Sequence, residues 1–198
     1  MSDDSLKTIE YYNRNAISFA ESTISASMSE TLNLFASSLP QGGLVLDWGC
    51  GSGRDSLALR ELGFHVVSVD ASAEMCSQAL RLTGTDARQE AFSELNEIST
   101  YDGIWACASL LHAPLDSLPG LFAKAADALK DNGVLYCSFK HGRSSGFFHG
   151  RWFTNLDESM LRSVMNPSLD ISHIWITGDV RPERSSEKWL NCLAIKRR

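Results

Sequence analysis

The sequence has no C-x-x-C pair: its five cysteines, Cys50, Cys76, Cys107, Cys137 and Cys192, stand far apart. That spacing excludes a zinc cluster of the usual kind and argues against a disulfide framework. No H-E-x-x-H, no P-loop lysine motif and no G-x-S-x-G elbow occurs either, so zincin, P-loop and α/β-hydrolase chemistry lack their signatures. No apolar run approaches the roughly 18 residues needed to span a bilayer, and no membrane partner is expected. The start, Met1-Ser2-Asp3-Asp4-Ser5, lacks the basic flank and apolar stretch of a secretory signal, which makes the cytoplasm the expected compartment. Positive charge is in short supply: 18 Lys and Arg against 24 Asp and Glu leave a net charge of −6. An acidic surface repels phosphate backbones, so nucleic acid is not an expected partner.

What is present is 198 residues with 43% hydrophobic content, enough for one sizeable core and a single domain over 1–198. Met28, Leu32, Phe35, Ala36 and Leu39 recur at helical spacing until Pro40 and Gly42-Gly43 stop them. Leu44-Val45-Leu46 reads as a buried first strand ending in Asp47. A helix over about 54–62 follows, then a second strand from His65 to Val69 that closes on Asp70. Ser72 caps a helix running through Leu80. Ala87 to Phe92 is a weak third strand, and Gly103 to Cys107 a clear fourth. Leu118, Leu121, Phe122, Ala125 and Leu129 mark an amphipathic helix. Asp131-Asn132-Gly133 predicts a turn into the fifth strand, Val134 to Phe139. The glycine- and serine-rich segment from Lys140 to Gly150 reads as a flexible loop. A short helix (156–164) and two late strands, Ile171 to Thr177 and Leu190 to Ile195, complete the chain. Alternating strands and helices predict a mostly parallel sheet covered on both faces.

The informative stretch is Leu44-Val45-Leu46-Asp47-Trp48-Gly49-Cys50-Gly51-Ser52-Gly53-Arg54-Asp55. A strand enters a turn with three glycines spaced two apart, then a helix. Glycine lets backbone approach a ligand at positive φ, and the helix N-terminus aims N–H groups at it. Such a loop suits a dinucleotide, but the third glycine is one residue early for G-x-G-x-x-G. Asp47 precedes the glycines, and Asp70 ends the next strand where a carboxylate can accept both hydroxyls of a ribose.

These residues resemble the first motif of class I S-adenosylmethionine (SAM)-dependent methyltransferases, and the order of elements is similar from about residue 40 onward. The nearest likeness is to small stand-alone bacterial enzymes, including the tellurite-resistance type. The resemblance implies a Rossmann-like α/β fold. Its sheet is seven-stranded and mostly parallel, with helices on both faces and an antiparallel last strand. Residues 1–39 would form a helical cap and 40–198 the core. It implies SAM as cofactor, with the loop at Gly49, Cys50, Gly51 and Gly53 facing its amino-acid part, Asp47 near its amino group and Asp70, followed by Ala71, on the ribose. Many relatives carry an acid after the third strand to meet the adenine; here Glu90 is offset, which leaves adenine to Ala91 and Phe92, unless Phe92 is simply core. Ala106-Cys107-Ala108-Ser109-Leu110-Leu111-His112 is similar to the segment that lines the transfer site. Tyr11-Tyr12-Asn13-Arg14-Asn15-Ala16-Ile17-Ser18-Phe19 is similar to the helix that closes over SAM.

Three residues stand as catalytic candidates: Tyr12, His112 and Lys140. His112 at a sheet edge is either a base working near neutral pH or a loop histidine capping backbone. Lys140 and His141 follow the fifth strand at the same edge. Arg151-Trp152-Phe153 is either a lid over an anionic or aromatic substrate or an anchor for the loop's end. Methyl transfer from a sulfonium needs no metal, since the leaving thioether is neutral. Little chain remains for a target-recognition module, and no N/D-P-P-Y/F tetrapeptide follows the fourth strand, so a small-molecule acceptor is expected, with the chain monomeric or homodimeric. A noncatalytic SAM-binding protein and an NAD(P)-dependent oxidoreductase remain the other readings, the latter lacking a Tyr-x-x-x-Lys pair.

Overall fold

The computed structural model describes residues 3–181, 184 and 186–198. Helices α1 (Asp3–Thr23) and α2 (Ser29–Ala36) come first. There follow β1 (Leu44–Trp48), α3 (Arg54–Glu61), β2 (His65–Asp70), α4 (Ala73–Thr83), β3 (Arg88–Gln89), β4 (Tyr101–Ala106), α5 (Leu118–Ala128) and β5 (Leu129–Lys140). The chain ends with β6 (Ser145–Phe148), β7 (Arg151–Thr154), α6 (Glu158–Val164), β8 (Leu169–Gly178) and β9 (Lys188–Lys196). Seven strands form one sheet in the order β3-β2-β1-β4-β5-β9-β8. The pairs from β3 to β5 are parallel, and β9 runs antiparallel to both β5 and β8. This is the Rossmann-like sheet with an antiparallel last strand that the motif order implied.

Strand alternation sorts the core. Ile104 and Ala106 of β4 join Leu118, Phe122 and Ala125 of α5 on one face. Trp105 turns to the other, against Phe35 of α2, Leu59 of α3 and Tyr136. Trp105 stacks on Tyr136 at 4.0 Å between centroids. Burying each Leu or Phe of these layers is worth roughly 1.5–3 kcal/mol, so the sheet's two faces supply most of the cohesion. Ser72 caps α4 as expected, its hydroxyl accepting from the Met75 N–H at 3.1 Å.

Three expectations change. The third strand is two residues long, and Phe92 opens a 3₁₀ turn. The Asp131-Asn132-Gly133 turn is a bulge inside β5: Tyr101 pairs with Leu129 but Gly103 with Val134, and Asn132 takes φ +62°. The segment 140–150 is no open loop. β6 and β7 pair from Ser145–Thr154 to Phe148–Arg151 as a two-stranded ribbon. The ribbon lies on α1, the Trp152 N–H donating to the Thr8 hydroxyl at 2.9 Å. The glycine count hides aromatic contacts: Phe147 meets Trp152 edge-on across the ribbon at 5.6 Å, and Phe153 meets His112 at 4.9 Å.

Candidate functional site

The C-terminal ends of β1, β2, β4 and β5 open onto one cavity of about 520 Å³, roofed by α1 and walled on the far side by β7 and the ends of β8 and β9. Ligands of open α/β sheets bind at this edge, where the strand order reverses. Here the reversal falls between β1 and β4.

The three glycines of the β1–α3 loop do different work. A Cβ on Gly49 would lie 2.5 Å from the Ser109 Cβ, so this glycine lets the loops after β1 and β4 touch. A Cβ on Gly53 would lie 2.5 Å from the Thr83 hydroxyl and 2.9 Å from that of Thr85. Gly53 therefore packs against the end of α4 and is not on the cavity wall. Gly51, at φ +54°, faces the cavity, and a Cβ on it would meet only the Met75 methyl, at 3.7 Å. Its N–H donates to the Asp70 carboxylate at 2.9 Å, and the Ser72 N–H donates to the other oxygen at 2.9 Å. One carboxylate thus ties the glycine loop to the end of β2 and keeps lone pairs for a ligand.

Asp47 is buried beneath the loop. It accepts from the Ser56 hydroxyl at 2.5 Å, which is linked to Ser68 at 2.8 Å. Burial, and after it the nearby Asp55 carboxylate, pushes Asp47 up to about 7. Asp55 itself is spoken for: Arg54 meets it with two N–H groups at 2.6 and 2.9 Å, and the Trp105 indole donates at 2.9 Å. A buried carboxylate so costly to ionise suits a ligand that brings its own cation. The residues thus fit SAM: an acid for an ammonium, an anchored acid for ribose hydroxyls, and a small-residue cradle between.

Among the other sequence-derived positions, Cys50, Ala71, Ala91 and Phe92 line the cavity. Phe92 also meets Trp48 edge-on at 5.4 Å, so it is both wall and core margin. Ala106 does not reach the cavity. It is fully buried in β4, and its neighbours Cys107 and Ala108 line the wall instead. Strand alternation turned its side chain under α5. Glu90 points away to Arg88 at 3.3 Å, consistent with its offset.

Tyr12, His112 and Lys140 all line the cavity. The Tyr12 hydroxyl meets His112 Nε2 at 2.8 Å, and His112 Nδ1 meets the Trp152 carbonyl oxygen at 2.6 Å. A carbonyl only accepts, so the imidazole proton sits on Nδ1, and Nε2 accepts from Tyr12. The bond to Trp152 fixes the Tyr12–His112 pair directly to the ribbon. Burial, assisted by Arg151 and Lys140, lowers His112 to about 4. His112 is thus neutral at pH 7, a poor base, and its histidine role includes holding the ribbon. Lys140 pairs with Glu187 at 2.7 Å and lies 4.9 Å from the Phe153 ring centroid.

The His112 shift has a stability consequence. A folded value below the ordinary 6.5 means that the unfolded chain binds the extra proton first. Stability should therefore rise with pH between about 4 and 6.5. His112→Gln should flatten that window by on the order of 2 kcal/mol, read from urea melts at pH 4.5 and 7. Equal pH slopes in both proteins would refute the assignment.

The sequence did not point to the outer wall: Thr177 near the end of β8, Asp179, Val180 and Arg181 after it, Trp189 and Asn191 on β9, and Ser138 on β5. No local motif marks them. They reach the site only because β9 pairs with β5 from Val134–Ile195 to Lys140–Trp189.

Comparison with known proteins agrees with this fold. The profile of a family described as Methyltransferase domain matches residues 19–180. YqeM of Bacillus subtilis (strain 168), provisionally named a methyltransferase, is 30% identical over 149 residues, which are 70% of this chain and 55% of that protein. The chain thus spans about half the length of that relative. The Burkholderia thailandensis 1,6-didemethyltoxoflavin-N1-methyltransferase, solved with 1,6-didemethyltoxoflavin and S-adenosylhomocysteine, superposes with a TM-score of 0.74 at 22% identity, covering 98% of this chain and 88% of that one. Magnesium protoporphyrin IX methyltransferase of Synechocystis PCC 6803, solved with SAM, gives a TM-score of 0.74 at 19% identity, covering 99% and 98%. Among the described residues, no helix is long and apolar enough to cross a membrane. A family profile over most of the chain, on a sheet whose switch point carries the Asp47–Gly53 loop and Asp70, makes this chain a member of the SAM-dependent methyltransferase family, with SAM as its cofactor.

Proposed function

We propose that this chain transfers the methyl group of SAM to a small-molecule acceptor bound in the outer half of the cavity. The observation that carries the reading is the single cavity of about 520 Å³ running from the glycine loop to β7 and the end of β8. That space suits a cofactor and a compact second molecule better than a polymer.

When bound, SAM supplies an electrophilic methyl on a sulfonium whose departure leaves a neutral thioether. The chain's own part is to bind, orient and exclude water. Asp47 would take the ammonium, Asp70 the ribose hydroxyls, and Gly51, Cys50, Ala71, Ala91 and Phe92 the surfaces between. Tyr12, His112 and Lys140 would border the acceptor. With His112 neutral and its Nε2 occupied by Tyr12, this pair aligns the acceptor without taking its proton, which favours a nucleophile that already has a free lone pair. α1 closes the roof: Asn13 accepts from the Ser72 hydroxyl at 2.7 Å, and Arg54 donates to the Thr23 carbonyl at 3.4 Å.

Thermal shift with SAM, S-adenosylhomocysteine and NAD in parallel is the first test. The two sulfur ligands should raise Tm and NAD should not; the reverse pattern would return the oxidoreductase reading. Mass spectrometry of small molecules that copurify would then identify acceptor candidates.

Asp47 yields a pH test of the cofactor site. The ligand's ammonium should pull Asp47 below its free value of about 7. Binding then takes up the ionised form only, and affinity rises with pH up to that value. Calorimetry with S-adenosylhomocysteine should show a gain of at least about tenfold from pH 5.5 to 7. Asp47→Asn should bind more weakly and lose this dependence. A flat wild-type profile would remove Asp47 from the site.

A further inference from the structure

Five cations line the cavity among the described residues: Arg54, Lys140, Arg151, Arg181 and Arg184. Four have a carboxylate nearby. Arg54 has Asp55 at 2.6 Å, Lys140 has Glu187 at 2.7 Å, Arg181 has Asp179 at 2.7 Å, and Arg184 has Glu187 at 3.7 Å. Arg151 has none. Its guanidinium is boxed by the rings of Tyr11, Phe153, Tyr12 and Phe19, at 4.7, 5.1, 5.7 and 5.9 Å. Its one polar contact is the Tyr12 hydroxyl at 3.4 Å, and its Nε is buried without a partner.

Aromatic faces attract a cation but accept no N–H bond in the ring plane, and with Nε sealed off it is the Nη groups that remain for a ligand. A planar guanidinium in low dielectric, with unused parallel donors, is matched by a carboxylate. The cations also sort by position. Arg54 lies beside Asp47 and Asp55, under the glycine loop. Arg151 and Lys140 instead flank His112. Arg151, Arg181 and Arg184 further line a smaller recess of about 140 Å³ next to the main cavity, so three guanidinium groups converge on the outer wall. Among the described residues the lining of that recess includes no carboxylate, whereas the chain as a whole is acidic, at −6.

We propose that the methyl acceptor carries a carboxylate and that Arg151 is its anchor, boxed by Tyr11, Tyr12, Phe19 and Phe153. The inference rests on the reading that SAM occupies the glycine-loop half. Arg151 is a specificity-determining residue: it holds the acidic end so that the nucleophilic atom faces the methyl-donor half. The ring box keeps the guanidinium flat and dry, which strengthens its bond to an anion and leaves a neutral ligand to face an unpaired charge.

The test uses matched acids and amides, benzoate with benzamide and indole-3-acetate with indole-3-acetamide. Each is titrated by calorimetry into protein saturated with S-adenosylhomocysteine. In the wild type an acid should bind about tenfold more tightly than its amide, the scale of one charge-assisted bidentate contact. Arg151→Gln should erase that preference and Arg151→Lys should keep part of it. Both variants should bind S-adenosylhomocysteine within about threefold of wild type, since the cofactor half does not use Arg151. Thermal melts report whether the variants fold. If Arg151→Gln does not, the wild-type acid–amide comparison and Arg151→Lys decide. Acid and amide binding equally, neither binding, or a preference that survives in Arg151→Gln would each overturn the proposal. A tenfold loss of S-adenosylhomocysteine affinity in Arg151→Gln would also overturn it, by giving the guanidinium to the cofactor's own carboxylate. A wild type that binds no S-adenosylhomocysteine would instead overturn the proposed function, and this inference with it.

Discussion

Gly51→Val is expected to lower the affinity for S-adenosylhomocysteine by at least about 100-fold while leaving the fold intact. Two effects act together. Gly51 sits at φ +54° on the cavity wall, and a Cβ added there would meet only the Met75 methyl, at 3.7 Å, so a branched side chain would project into the cavity. It would occupy the space assigned to the methionine part of the ligand. A β-branched residue at this φ also costs on the order of 1–3 kcal/mol in backbone strain. Relief of that strain would swing the Gly51 N–H off Asp70, which it meets at 2.9 Å. Gly51→Ala separates the contributions, because it carries most of the strain with little bulk, and should fall in between. Calorimetry reads the affinity and near-ultraviolet circular dichroism checks the packing. Binding within threefold of wild type would reduce the glycine to a turn former. Gly49 offers the contrast: its Cβ would meet Ser109 at 2.5 Å, so Gly49→Val should act on stability first.

The second large effect belongs to Asp70. Its carboxylate accepts the Gly51 and Ser72 N–H groups, each at 2.9 Å, and stands at the cavity wall. Burial raises its titration point, and these two N–H bonds work against that shift. Asp70→Ala removes the ribose acceptor and leaves two donors unpaired. Each loss is worth roughly 1–3 kcal/mol, so the affinity for S-adenosylhomocysteine should drop by about 10- to 100-fold. Asp70→Asn keeps the volume but turns an N–H₂ toward one of the two donors, and should recover only part of the loss. Unchanged affinity in Asp70→Ala would sink the ribose assignment.

Much of the cofactor half was legible in the chain itself. Asp47, Gly49, Cys50, Gly51 and Asp70 lie within one strand–loop–helix–strand unit, whose order of residue types can be read along the chain. Gly53 and Ala106 show the limit even there. Both sit in the right motif, yet Gly53 turns to Thr83 and Thr85, and Ala106 points under α5. Which way a single side chain faces depends on strand phase and on packing partners far along the sequence. The ribbon at 145–154 shows the other limit. A count of glycine and serine reads as mobility, but alternating aromatics on paired strands answer to cross-strand partners, which composition does not report.

The sequence by itself determined the family motif, the order of β and α units and the placement of the two acids, Asp47 and Asp70, at the cavity. Apolar periodicity and glycine backbone freedom are local properties, which neighbouring residues express wherever the chain goes. The tertiary structure alone decided the acceptor half. His112 and Arg151 lie 100 and 139 positions along the chain from Tyr12, which contacts both. They meet because α1 folds back over the sheet edge and β7 lies beneath it. The outer wall depends likewise on β9 running antiparallel between β5 and β8. The proton on His112 Nδ1 and the open donors of Arg151 follow from those long-range contacts, and no spacing in the sequence encodes them.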